Sequence, residues 1–168
     1  KVVAWNLHAD KLSNLADVCK ELNVPFEGLS REALCAQADV IITITSAFEA
    51  LIDKAWIKPG THIACMGTDT KGKQEVDAEL LVTASVFTDE LAQSITIGEA
   101  QHAIASGLIK DTDIVSIGDV INGVKPGRTS DDEITLFDGT GVGLQDLAVA
   151  SVAAALAEEK GLATYFSL

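Results

Sequence analysis

The chain has 168 residues, 48% of them hydrophobic, and a formal net charge of −13 from 25 acidic and 12 basic side chains. That length holds one domain with a sizeable core, and an apolar fraction this high without low-complexity stretches excludes a disordered chain. Scattered Lys and Arg argue against a nucleic-acid partner, and no apolar run approaches the ~20 residues of a bilayer span, so a soluble, cytoplasmic protein with no membrane partner is expected.

In chain order, Val2 to Trp5 reads as a short buried strand, and Leu12, Leu15, Ala16, Cys19 and Leu22 fall on one face of the helix that follows. Pro25 to Ser30 reads as a loop, with Ser30 capping a short helix that runs to Gln37. The unbroken run Val40 to Thr45 reads as a strand buried on both faces. A Pro-Gly turn then precedes a strand in "KPGTHIACMG", "DAELLVTA" is a short Asp-capped helix, and "SVFTD" is another strand. "GEAQHAIASGLI" and "DIVSIGDVINGV" read as helices, "EITLFDG" as a strand, and "LQDLAVASVAAALAEEKG" as a long Ala-rich helix ended by Gly161. Continuous apolar strands alternating with helices predict an α/β fold, a Rossmann-like, doubly wound and mainly parallel sheet. Cys19, Cys35 and Cys65 are odd in number and lack metal-ligand spacing, which predicts buried free thiols and no metal site.

In such a sheet, ligands sit beyond the carboxyl ends of the strands. The polar or glycine-rich strand ends are Asn6-Leu7-His8, Thr45-Ser46, Gly67-Thr68-Asp69 and Asp138-Gly139-Thr140-Gly141, and they are expected to line one crevice. "DGTGVG" is not the GxGxxG dinucleotide fingerprint; its glycines suit either a tight strand-to-helix turn or a backbone that approaches a ligand with free N–H donors. Asn6 stands where a dinucleotide fold places the acid that binds the adenosine ribose, and His8 is either a solvent-facing loop residue or a partial phosphate ligand. Asp69, the only carboxylate in the loop from Gly67 to Gly72, is by composition either a turn residue or a catalyst, with Lys71 and Lys73 beside it as solvated charges or as groups that lower its pKa.

Taken together, "VVAWN", "ADVIITIT", "KPGTHIACMGTDTKGKQEVDAELL" and "GVKPGRTSDDEITLFDGTGVGLQDLAVA" resemble the ornithine cyclodeaminase/μ-crystallin family. The resemblance extends over almost the whole chain, and "GEAQHAIASGLI" is similar to the alanine dehydrogenase and imine reductase branch. It implies a Rossmann domain over residues 1 to 143 that binds NAD or NADP, and a helix over residues 144 to 168 that returns to a substrate and dimerisation domain. It further implies a small α-amino or α-imino acid substrate, a homodimer in the full-length protein, and Asp69 as the catalytic proton-transfer group. Asn6, Leu7, His8, Thr45, Ser46, Gly67, Asp138, Gly139 and Thr140 are the implied cofactor contacts. No Arg follows Asn6 to pair a 2′-phosphate, which favours NAD, although Asn6 carries no charge to repel NADP. The family's N-terminal segment, first Rossmann strand and glycine-rich loop match nothing here, and a chain that opens with Lys1 directly into a strand is expected to be a piece of something longer, inactive by itself. Three activities fit the resemblance: an NAD(P)-dependent amino-acid dehydrogenase or imine reductase, a cyclodeaminase (a lyase), and a non-catalytic crystallin-like binder.

Overall fold

A computed structural model describes residues 1–166; Ser167 and Leu168, the end of the expected C-terminal helix segment, lie outside the described residues. Its core is a five-stranded parallel sheet in the order β3-β5-β9-β7-β8, formed by Val40–Thr43, His62–Cys65, Thr135–Asp138, Ser85–Thr88 and Ile114–Ser116. A second parallel pair joins β1, Val2–Ala4, to β2, Phe26–Gly28, and a third joins β4, Phe48–Ile52, to β6, Gln74–Val76. Because these pairings are all parallel, the five strands of the main sheet end along one edge.

The central strands carry the core. Ile63 and Cys65 of β5 and Leu136 of β9 are completely buried, and they pack with Ile41, Val86, Leu80, Leu81, Ala100 and Ala103. The helices are α1 (Ser13–Glu21), α2 (Arg31–Gln37), α3 (Leu80–Thr83), α4 (Leu91–Ser94), α5 (Gln101–Ala105), α6 (Ile117–Ile121) and α7 (Gly143–Glu159). Ser30 caps α2 as expected, its hydroxyl accepting the Ala33 N–H at 3.2 Å. All three cysteines are buried and free, and burial pushes the Cys35 thiol up to about 11.

Several sequence expectations are corrected. Phe26–Gly28 is a strand and not part of a loop: its backbone extends the β1 edge, with Leu29 N–H donating to the Ala4 carbonyl at 2.9 Å. "DIVSIGDVINGV" is a strand followed directly by a helix, because Ile114–Ser116 pairs with β7 before the chain turns into α6. The run from Val40 is buried on one face only within these residues. Ile41 is 4% exposed, whereas Val40 and Ile42 are 60% and 69% exposed.

That exposure belongs to a discontinuity in the sheet. Among the described residues, β1 pairs only with β2 and β3 only with β5, and a groove of about 870 Å³ runs between β1 and β3. Leu12, Leu15 and Leu34 contribute to its walls, so of the apolar face read for the first helix Leu12 and Leu15 meet this groove, while Cys19 is buried and Leu22 is exposed. The Arg31 guanidinium bridges the two blocks, 5.3 Å from the Trp5 ring centroid and 6.0 Å from that of Trp56. At the other end of the chain α7 buries none of its residues, although its middle, Leu147 to Ala157, is apolar apart from Ser151.

Candidate active site

The loop after β5 carries Asp69. It leaves the sheet at Gly67, where an added Cβ would run into the Thr45 backbone, so only glycine lets the ends of β3 and β5 approach this closely. It turns back at Gly72, whose φ of +90° is left-handed, and reaches β6 at Gln74. Asp69 stands at the exposed tip. Its Oδ1 accepts the Lys73 ammonium at 2.7 Å and the Thr70 hydroxyl at 3.1 Å, and these two hydrogen bonds, Lys73 first, hold its carboxyl below the usual range. Of the two lysines beside it, Lys73 is thus the partner, and it is mostly covered.

Beneath this loop lie three buried carboxylates, none exposed by more than 2%. Glu75 accepts the Thr43 hydroxyl at 2.7 Å and the backbone N–H groups of Thr45 at 2.6 Å and Gly67 at 2.9 Å, locking the ends of β3 and β5 together. The Glu75 N–H in turn donates to Glu99 at 2.9 Å, and the Glu99 N–H donates to Asp138 at 2.9 Å. Asp138 also accepts the Ser94 hydroxyl at 2.5 Å, while its Oδ1 has no partner among the described residues. Burial pushes Glu99 up to about 7 and Asp138 up to about 6, against the hydrogen bonds each accepts. Charged side chains are almost never fully buried unless they are bonded; here their partners are the hydroxyls of Thr43, Thr68 and Ser94 and backbone N–H groups at the ends of β3 and β5, within β6 and at the start of α5.

The expected site residues divide accordingly. Thr45 and Gly67 are neighbours through Glu75, and the Gly139 N–H donates to the Cys65 carbonyl at 2.9 Å, so the ends of β3, β5 and β9 form one continuous edge with Asp69 on its central loop. Asn6 and Thr45 both line the groove, and Leu7, His8 and Ser46 are exposed beyond their strands. Asn6 Oδ1 accepts the His8 N–H at 2.9 Å, a local turn that leaves the Asn6 amide N–H groups as its free donors. Asp138 is wholly buried and serves the interior of the edge instead of facing the crevice.

The "DGTGVG" turn behaves differently from one of its two readings. The Thr140 N–H and hydroxyl and the Gly141 N–H all donate to Asp89, at 3.0, 2.7 and 2.9 Å, so these amides are already taken. Burial works to raise the Asp89 carboxyl, but these donors bring it below its ordinary value. Asp89, Glu75, Glu99 and Gln101 escaped the sequence reading as site residues, whereas Lys73 is one of its two candidates for lowering the Asp69 pKa. The available signal was an acidic residue set directly against an apolar or glycine-rich stretch, as in "FTDE" and "IGEA".

An all-parallel sheet with its loops gathered and braced at the carboxyl edge defines a Rossmann-like α/β domain. The chain belongs to the ornithine cyclodeaminase/mu-crystallin family, whose model matches residues 1–161. It is 55% identical over 163 residues to an iminosuccinate reductase of Paracoccus denitrificans, a match covering 97% of this chain and 51% of that protein. It is 36% identical over 153 residues to an alanine dehydrogenase of Archaeoglobus fulgidus, covering 90% and 47%. The crystal structure of the Paracoccus reductase in complex with NAD+ matches with a TM-score of 0.95 at 54% identity, over 100% of this chain and 52% of that one. An archaeal alanine dehydrogenase dimer with bound NAD matches with a TM-score of 0.94 at 34% identity, over 99% and 52%. The chain spans about half the length of the curated relatives it matches.

Proposed function

We propose that this chain is the cofactor-binding part of an NAD-dependent oxidoreductase that interconverts α-imino and α-amino acids, and that its substrate is a dicarboxylic imino acid such as iminosuccinate. The observation that carries the reading is Asp69, an accessible carboxylate on a rigidly anchored loop at the carboxyl edge of a parallel sheet. The 55% identity to a reductase named for iminosuccinate supports the substrate.

The described residues fit part of NAD. Asn6, with its free amide N–H groups, and Thr45 line the open groove, with Leu7, His8 and Ser46 exposed beside it, which suits the adenosine end; Gly67, Gly139 and Thr140 are buried on the same carboxyl edge of the sheet, the edge that carries the Asp69 loop, and would form the floor of the nicotinamide end. The pyrophosphate finds no cradle here, since Asp89 holds the Thr140 and Gly141 amides. The bound cofactor supplies or accepts a hydride at Cα. Asp69, whose carboxyl Lys73 holds below its ordinary range, takes a proton from the α-amine in the oxidative direction; in the reductive direction it passes to nitrogen a proton that it first takes up from water. Lys73 also donates to the Gly67 carbonyl at 3.3 Å, tethering the tip to its own base.

The groove and α7 support the domain division, residues 1–143 as the Rossmann-like part and 144–168 as a helix returning to a further domain. One parallel strand between β1 and β3 would join the two blocks into a single sheet, and the exposed apolar middle of α7 suits an apolar neighbour. Both surfaces are ones that the remainder of a longer, homodimeric protein covers. Among the described residues no helix is long and apolar enough to cross a membrane, and a cytoplasmic setting is part of the same proposal.

The test uses the full-length protein with NADH or NADPH and oxaloacetate plus ammonia, which form iminosuccinate in solution. Oxidation of NADH with formation of aspartate is the expected result, with NADH preferred to NADPH. Release of ammonia from L-ornithine without net cofactor turnover would replace it with the cyclodeaminase reading.

A further inference from the structure

We propose that Glu99 and Gln101, which flank Ala100 at the start of α5, are positioning residues that set where Asp69 stands. The inference rests on the reading of Asp69 as the proton-transfer group.

Among the described residues, the Asp69 side chain is held only by Lys73 and Thr70, both members of its own loop. Its position relative to the sheet is therefore fixed through the loop's anchors, and these converge on one short segment. Glu99 Oε2 accepts the Thr68 hydroxyl at 2.5 Å, on the residue immediately before Asp69, and Glu99 Oε1 accepts the Glu75 and Val76 N–H groups at 2.9 and 2.8 Å, within the strand β6 that the loop runs into. Gln101 Oε1 accepts the Gly72 N–H at 2.7 Å. Gln101 Nε2 donates to the Gly98 carbonyl at 2.9 Å and reaches the carbonyls of Thr70 and Lys73 at 3.4 and 3.3 Å. The next side chain, His102, contacts the Lys73 carbonyl at 3.0 Å.

The two groups are buried, Glu99 to 2% and Gln101 to 8% exposure, where apolar residues would fill the volume without the cost of desolvating polar atoms. Their hydrogen bonds grip the loop on both sides of its tip and leave the tip itself free. Such an arrangement restrains a carboxylate to one place without occupying its lone pairs. A shift of about 1 Å in a reacting group lowers turnover by as much as 10²-fold.

The experiment is a double-mutant cycle in the full-length enzyme with NADH and iminosuccinate generated from oxaloacetate and ammonia. Gln101→Ala is expected to lower kcat by about 10- to 100-fold while KM and the NADH dissociation constant, read by nicotinamide fluorescence, stay within about twofold. In Asp69→Asn/Gln101→Ala the second change should add almost nothing to the first, because Gln101 acts only through Asp69. A Gln101→Ala kcat within about twofold of wild type, or a full additive loss in the double variant, overturns the proposal. Wild-type turnover in Asp69→Asn alone instead overturns the reading of Asp69. Should Gln101→Ala fail to fold, Thr68→Val decides through Glu99: it keeps the side-chain shape, removes the hydroxyl, and must give the same fall in kcat at unchanged NADH affinity, or the proposal is wrong.

Discussion

The two ends of the five-stranded sheet use the same residue type in opposite ways. At the carboxyl end Glu75, Glu99 and Asp138 are buried, accept backbone N–H groups, and tie strand ends to loops. At the amino end Glu133 stands in a surface turn, accepting the Ser85 hydroxyl and the Thr129 N–H at 2.5 Å, and Asp39 pairs with Lys58 at 2.8 Å. Hydrogen bonds from Ser85 and Thr129 bring Glu133 down to about 2, whereas burial takes Glu99 up to about 7. The difference teaches where the fold commits desolvated charge. It does so under the loops proposed to act on substrate and leaves the opposite end to ordinary turn chemistry.

The largest effect expected from this contrast is on catalysis. Asp69→Asn in the full-length enzyme should lower turnover by about 10²–10⁴, the scale of one general acid–base group, with NADH affinity unchanged in a fluorescence titration. No change at the amino end should approach this; a Glu133→Ala enzyme with a comparable loss would erase the distinction between the two ends.

Next comes stability. Glu75→Ala strands the Thr43 hydroxyl and the Thr45 and Gly67 amides in the interior, and at ~1–3 kcal/mol for each unsatisfied buried group the loss should be about 3 kcal/mol or more. Glu133→Ala frees groups that water can reach and should cost at most about 1 kcal/mol. Urea unfolding of the two variants measures the ratio, and equal losses would break the comparison.

This contrast also explains what the sequence could and could not reveal. The strands at Val40, His62, Ser85 and Thr135 announce themselves by apolar runs, and the Gly67–Asp69 and Asp138–Thr140 ends follow from where those runs stop. β6 carries Glu75 in a stretch of charged and polar residues that reads as a solvated loop, yet it is interior because Glu99 receives its N–H groups. β8 abuts α6 with no breaker, and Ile114, Ile117 and Ile121 mimic helical spacing. β4, Phe48–Ile52, has a composition that suits a helix as well as a strand, and its pairing with β6 comes from a distant part of the chain. Burial of an acid depends on donors brought from distant parts of the chain, so Glu75 carries no local mark of its role, and Glu99 and Asp89 are marked only by the apolar or glycine-rich stretches they adjoin.

A pH titration sharpens the contrast by sign. Glu99 and Asp138 bind protons more tightly folded than unfolded. The stability they contribute is complete below their ordinary values of 4.5 and 3.8 and is lost as pH rises toward about 7 and about 6. Glu133 is the reverse, its contribution being present above 4.5 and lost as pH falls toward about 2. These carboxylates favour a maximum at about pH 4 to 5 and a decline toward pH 7, which His62, held below its ordinary 6.5 by burial, opposes, and the decline should be shallower in Glu99→Gln than in His62→Gln, which lacks the opposing group. A midpoint that still rises steadily from pH 5 to pH 7 in His62→Gln would mean that the buried cluster is not desolvated as its geometry requires.

The smallest effect belongs to the Asp39–Lys58 pair. Lys58 donates to Asp39 at 2.8 Å and to the Gln37 carbonyl at 3.0 Å, and the ammonium beside Asp39 holds that carboxyl below its ordinary value. Yet the Asp39 side chain is 89% exposed, so both charges keep most of their hydration and salt screens what attraction remains. Holding the long lysine in one geometry also consumes rotamer entropy that the ion pair must offset. Lys58→Ala should leave the urea midpoint nearly unchanged at ~0.15 M salt, since an exposed ion pair contributes at most about 1 kcal/mol and salt weakens it further. At low salt a slight loss is expected, and it should vanish as salt is added. A salt-independent loss as large as that of Glu75→Ala would place a buried, structure-determining charge at the amino end as well, and the two ends would no longer differ in kind.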